Sequence, residues 1–180
     1  MINFEKHRYT IEKLLSILGA FVYIVFVAEF IKDIIENHRI SSIFPLLTTS
    51  FFVYFFLTRD IAKQLNLSPY EWVITLFGTF LCRRPPPILH DVGALIVLES
   101  IGACISIAGI LSLNKSLGLA PANRGIKKFW AYKYIRHPIY TGYFITIGAY
   151  CAQHFSANNL IVAALWMTCE ILRIFAEEKY

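Results

Sequence analysis

Two groups of residues in the second half of the chain have the types and spacing to do chemistry. The first is Asn123-Arg124-Gly125-Ile126-Lys127, followed by Tyr132-Lys133-Tyr134-Ile135-Arg136-His137-Pro138-Ile139-Tyr140-Thr141-Gly142. His137 precedes a proline and is pushed out of helical backbone space, whereas Pro138 suits the first position of a helix. The N–H groups that open such a helix favour anionic groups, and Lys133 and Arg136 add positive charge beside them. Tyr132, Tyr134 and Tyr140 offer flat faces to an adenine or to a cationic sulfonium. Basic and aromatic residues also mark any membrane–water boundary, so this block alone leaves a binding site and a plain interfacial segment equally open.

The second group is Trp166, Glu170, Arg173, Glu177 and Glu178. Spacings of four, three and four put the first four on one face of a helix. Ionisable groups within an apolar helix are expensive and point to a functional cavity. An Arg–Glu pair reaching out from a helix end is the ordinary alternative, and it accounts least well for Glu170, the deepest of them.

The elements that must position these groups are set by composition. Of 180 residues, 57% are hydrophobic and only 16% charged, where soluble domains sit near 45–50% and about 25%. The mean hydropathy is +0.55. So few polar residues cannot cover a water-facing globule of this size, and the chain reads as an integral membrane protein. Disorder needs the opposite composition. The net charge of +5 has no basic stripe on a polar module to carry it, which excludes nucleic acid as a partner. Cys82, Cys104, Cys151 and Cys169 show no CxxC spacing and read as small buried hydrophobes. His7, His38, His90 and His154 fit no ligand spacing and are expected in loops or interfaces; no metal site is expected.

A crossing helix takes roughly 20 apolar residues. Leu14 to Ile31 is one such stretch, too long for a signal peptide and without a clear cleavage site, so it reads as a retained first helix. Ile40 to Thr58 and Val92 to Leu113 are two more. Gly102, Ser106 and Gly109 in the latter form a small-residue stripe for close helix contact. Trp72 to Cys82 is short for a full crossing, and Arg83-Arg84-Pro85-Pro86-Pro87 ends it. Pro138 to Phe155 and Leu160 to Glu178, parted by Ser156-Ala157-Asn158-Asn159, form a terminal helical hairpin. The predicted fold is all-α and polytopic, with five to six transmembrane helices. Residues 1–91 hold the N-terminal helices and 92–180 the catalytic region. With six crossings, 13 of the 17 Lys and Arg residues fall on the side of the two termini and the long loop, which assigns that side to the cytoplasm. If Trp72 to Cys82 only dips into the bilayer, five crossings put the N-terminus outside.

Together, Arg136-His137-Pro138-Ile139-Tyr140-Thr141-Gly142 and the later Glu177-Glu178 pair resemble the signature of the integral-membrane methyltransferases, namely isoprenylcysteine carboxyl methyltransferase and the phospholipid N-methyltransferases. Leu119-Ala120-Pro121-Ala122-Asn123-Arg124-Gly125 resembles bacterial members, and the likeness covers Val92 to Tyr180. It implies a pocket for S-adenosylmethionine. Arg124, Gly125, Ile126 and Lys127 would cradle the adenosine end, with Tyr132 before the motif. His137, Pro138, Ile139 and Tyr140 would line the methionine and ribose. One of Glu177 and Glu178 would bind the cofactor's amino group, and Arg173 would face the methyl acceptor. The chain departs from the family at Phe129-Trp130-Ala131-Tyr132, where a Ser-Gly-Pro-Tyr run is common, and at Phe175, where a second basic residue is common. Relatives also continue past the position of Tyr180.

The expected function is therefore methyl transfer from S-adenosylmethionine to a carboxylate on a lipophilic acceptor at the cytoplasmic face, with membrane lipids as surroundings. The compartment would be the inner membrane in a bacterium and the endoplasmic reticulum in a eukaryote. Transfer to an ethanolamine headgroup nitrogen is the alternative, with Glu170 as base. A sterol-reductase-like enzyme using NADPH and a non-catalytic membrane scaffold are lesser alternatives. No dinucleotide-binding glycine fingerprint follows a strand.

Overall fold

The computed structural model is helical throughout. Its helices are α1 (Ile2–Asn37), α2 (Ile43–Thr58), α3 (Pro69–Leu81), α4 (Gly93–Leu113), α5 (Pro138–Gln153) and α6 (Ala157–Glu177), with short 3-10 turns at Ile40–Ser42, Asn114–Ser116 and Trp130–Lys133. The structure describes residues 2–59, 64–65, 69–81, 93–116, 122–123 and 130–178. Gln64 and Leu65 pair antiparallel with Asn123 and Ala122, a two-residue ladder between the segments that follow α2 and α4.

Among the described residues, four helical stretches are long and apolar enough to cross a membrane: Tyr9–Asn37, Ile40–Thr58, Gly93–Ser116 and Ala157–Glu177. Their outward faces are apolar, as a lipid solvent requires; Leu14, Phe21, Leu57 and Phe175 are each 61–62% exposed. The other two helices are shorter, α3 as expected and α5 by two residues against the expected Pro138 to Phe155. α3 has 13 residues and α5 has 16, so they reach about 20 and 24 Å against a hydrocarbon core of about 30 Å. Pro138 opens α5 in its first turn, as expected, and the helix ends at Gln153.

Three helix pairs make the framework. α1 and α2 are tied at one end around Asp33, which accepts from Asn37 (2.8 Å), from Arg39 (2.7 Å) and from Ser42. At the other end Arg59 donates to Ser16 Oγ at 2.6 Å and pairs with Glu12 at 3.5 Å, both charged side chains being buried. Between these ties Tyr23 stacks on Phe52 and Phe56, in a core completed by Ala20, Phe55, Ile110 and Ile139.

α4 and α5 form the most extensive pairing, through the small-residue stripe. A Cβ on Gly102 would lie 2.7 Å from the Gly142 carbonyl oxygen, and one on Gly109 would lie 2.7 Å from Ile139 Cγ1. Only residues without a side chain let two backbones approach this closely. Ser106 Oγ donates to the Ile139 carbonyl at 3.2 Å across the same contact.

α6 packs chiefly on α3, with Trp166 Nε1 donating to the Gly78 carbonyl at 2.7 Å. Ser156 caps α6 by accepting from the Asn159 N–H. Of the cysteines, Cys151 is buried as expected, Cys169 is half-buried, and Cys104 is exposed on the outer face of α4. Apolar surroundings on the lipid side hold that thiol as well as a core would. Cys82 lies outside the described residues.

Candidate functional site

The approach to α5 is held from both sides. Ala131 N–H donates to Ser112 Oγ of α4 at 3.2 Å, which docks the Trp130–Lys133 turn on the end of that helix. Tyr134 and Ile135 N–H both return to the Ala131 carbonyl. His137 is then non-helical (φ −131°, ψ 68°) and caps α5 with its backbone, since its carbonyl accepts from both Thr141 N–H and Thr141 Oγ1 at 2.9 Å. This is the non-helical conformation that a following proline imposes. It leaves the imidazole free to reach sideways.

The imidazole reaches α6. His137 Nε2 lies 3.0 Å from Glu178 Oε1, and Arg136 Nε lies 3.2 Å from the same oxygen. One turn into α5, Tyr140 Oη donates to Glu177 Oε1 at 2.6 Å. Arg173 Nε stands 3.3 Å from Glu177 Oε1, and its Nη1 stands 3.9 Å from Glu170 Oε2. The guanidinium also lies over the Tyr140 ring, 5.8 Å from its centre. The two groups singled out in the sequence, 37 and 41 residues apart at these contacts, thus form one cluster where α5 begins and α6 ends.

The helix dipoles explain part of this arrangement. Carboxylates at the C-terminus of a helix are disfavoured by the partial negative charge there, yet α6 ends on Glu177 and Glu178. Both are brought to the opening turn of α5, whose dipole has the opposite sign, and to Arg136, His137, Tyr140 and Arg173. The hydrogen bond from His137, then the charge of Arg136, hold the Glu178 carboxyl below its ordinary value. Burial, then the nearby Glu177 carboxylate, hold the Tyr132 phenol well above its own.

Glu170 is 3% exposed and about 10 Å deeper along α6 than Glu177. Its position depends on α3, whose contact with Glu170 the sequence did not indicate. A Cβ on Gly78 would lie 2.7 Å from Glu170 Oε1, so the glycine both accepts from Trp166 and makes room for the carboxylate. A lone glycine inside an apolar helix was the available signal. Ser112, which docks the loop, and Tyr23, which interacts electrostatically with Arg173, were also missed. Their partners are distant in sequence.

Not every expected residue joins the cluster. Pro138 and Ile139 are buried against Gly109 of α4, so they serve the α4–α5 contact rather than face the carboxylates. Arg124, Gly125, Ile126 and Lys127 lie outside the described residues. Among the described residues no group of three His, Cys, Asp or Glu side chains could hold a metal ion.

The donor set has a definite chemical preference. Three carboxylates face two guanidinium groups and one imidazole, with the rings of Tyr132 and Tyr140 alongside. Carboxyl groups thus outnumber guanidinium groups by one. Such a site suits a ligand that carries positive charge next to a flat ring system. No family model, curated protein or solved structure matches the chain.

Proposed function

We propose that the protein is an integral-membrane methyltransferase that uses S-adenosylmethionine and methylates a carboxylate on a lipophilic acceptor at the cytoplasmic face of the membrane. In this reading the chain crosses five or six times, and α5 with α6 is the terminal hairpin. The observation that carries the proposal is the meeting of His137 with Glu178 and of Tyr140 with Glu177. It unites the RHPxYxG block with the acidic pair in one partly buried site that has surplus carboxylate.

S-adenosylmethionine supplies, when bound, an electrophilic methyl group on a sulfonium. Glu177 and Glu178 would hold its amino group, and Tyr132, His137 and Tyr140 would supply ring faces against its positive charge and adenosine. Pro138 and Ile139, by seating α5 on α4, hold those groups in place. Arg173 is half-buried over the Tyr140 ring and would turn its guanidinium to an acceptor carboxylate. Its charge keeps such an acid ionised, and its planar fork aims it. Glu170, next to Arg173, would fix the guanidinium plane. Alignment in a dry site is what an in-line displacement requires, and effective molarities of about 10⁵ M and above are available from it.

A second reading has its own observation. The surplus of carboxylate over cationic groups, with Glu170 the most buried member, favours an amine acceptor whose proton Glu170 takes. The two are separated by offering the purified protein lipid acids and lipid amines with a labelled methyl donor.

The test of the common core is binding. Detergent-solubilised full-length protein is titrated with S-adenosylhomocysteine by calorimetry. Binding is expected, weakened at least about tenfold in His137→Ala and Glu177→Ala by loss of one charge-assisted contact. Arg173→Ala should keep the affinity and lose transfer. Folded protein that does not bind refutes the proposal, and three variants that behave alike refute the division of roles.

A further inference from the structure

We propose that the ledge from Trp130 to Arg136 is a binding site for an anionic phospholipid headgroup, and that the headgroup phosphate draws Arg136 away from Glu178. The ledge is a built surface. Its turn is docked on α4 through Ala131 and Ser112 and closed by the Ala131 carbonyl. It lies where the candidate span Gly93–Ser116 ends and α5 begins, the level at which tryptophan, tyrosine and basic side chains meet headgroups.

Its outward side chains are Trp130 (55% exposed), Tyr134 (80%), Lys133 and Arg136. Lys133 Nζ sits 5.5 Å from the centre of the Tyr134 ring, which holds the ammonium over the ledge. No acidic residue occurs from Trp130 to His137. The carboxylate that meets Arg136 comes from α6 through a single contact to Nε at 3.2 Å, and the arginine side chain stays 80% exposed. An exposed pair of this kind is weak, whereas a phosphate can take a guanidinium in a two-pronged geometry. Charge complementarity therefore selects a phosphate-bearing anionic lipid over a zwitterionic one, whose own ammonium repels the cations.

Moving Arg136 leaves Glu178 with His137 as its partner and adds one negative charge to the candidate site. The lipid would thus tune that site without entering it. The binding itself does not depend on the methyl-transfer reading, and neither does its test.

Full-length protein is reconstituted in phosphatidylcholine vesicles that contain a minor amount of brominated phosphatidylglycerol or brominated phosphatidylcholine. The Trp130 contribution to fluorescence is taken as the difference between wild type and Trp130→Phe. Stronger quenching by the brominated anionic lipid is expected. The preference should fall about fivefold for each cation removed in Lys133→Gln and Arg136→Gln, the factor expected per basic group at an anionic surface. Soluble glycerophosphate should not compete. Equal quenching by the two lipids, a preference that survives Arg136→Gln, or displacement by glycerophosphate would each overturn the proposal.

Discussion

Gly142 is the glycine of the RHPxYxG block, and the structure gives it a packing role that a pair of substitutions can measure. A Cβ there would lie 2.6 Å from Ser106 N and closer still to Ser106 Oγ and the Gly102 carbonyl. Carbon contacts settle at about 3.5–4.0 Å, so α4 and α5 must part by about 1 Å. Overpacking of this size costs about 1–3 kcal/mol, at the upper end here because two of the obstructing atoms are backbone. Parting also strains the Ser106–Ile139 hydrogen bond, a further loss of about 1 kcal/mol. Alanine returns about 1 kcal/mol of helix propensity. Gly142→Ala should therefore be destabilising by about 2–3 kcal/mol. Gly148, on the same helix, has nothing within 4 Å of its would-be Cβ, so Gly148→Ala keeps only the propensity gain and should be neutral or stabilising by up to about 1 kcal/mol. Both are read as unfolding free energies in a detergent series. Equal effects of the two, or a Gly142→Ala protein as stable as wild type, would refute the packing assigned to this interface.

Three further outcomes follow from the geometry. Gly78→Ala pushes a methyl group onto the Glu170 carboxylate and should cost about 1–3 kcal/mol; an unchanged midpoint in the same unfolding series contradicts the α3–α6 contact. Arg59→Met removes the buried cation 3.5 Å from the Glu12 carboxylate and should cost about 3 kcal/mol, part of it recovered by adding Glu12→Gln; a double variant no better than the single one speaks against the pairing. The Glu178 carboxyl is held below its ordinary value, so its stabilising contacts are complete above the ordinary carboxylate range and are lost as pH falls through the lowered value. Carboxyl-carbon NMR should show that lowered midpoint moving up in His137→Ala, and a midpoint indifferent to that change rules out the contact as its cause.

What the sequence determined by itself is what depends on local pattern. Long apolar runs mark the chain as helical, with stretches long and apolar enough to cross a membrane, where backbone groups must satisfy one another within the helix. The stripe of Gly102, Ser106 and Gly109 was legible as a contact face, since small residues three and four apart align on one side. The His137–Pro138 pair announced a helix start, and the spacing from Trp166 to Glu177 announced a polar face. Other features carried no local mark. That Gly78 receives Trp166 and shelters Glu170, that Ser112 docks the loop, and that Pro138 and Ile139 turn to α4 are decided by which helices become neighbours. α3 is short for a crossing as expected, and α5 starts at Pro138 as expected but ends at Gln153, two residues before Phe155. Most of all, the charge balance of the cluster belongs to the tertiary structure. A carboxylate's energy depends on what stands within a few ångströms of it, and for Glu177 and Glu178 those neighbours include residues 37 and 41 positions away.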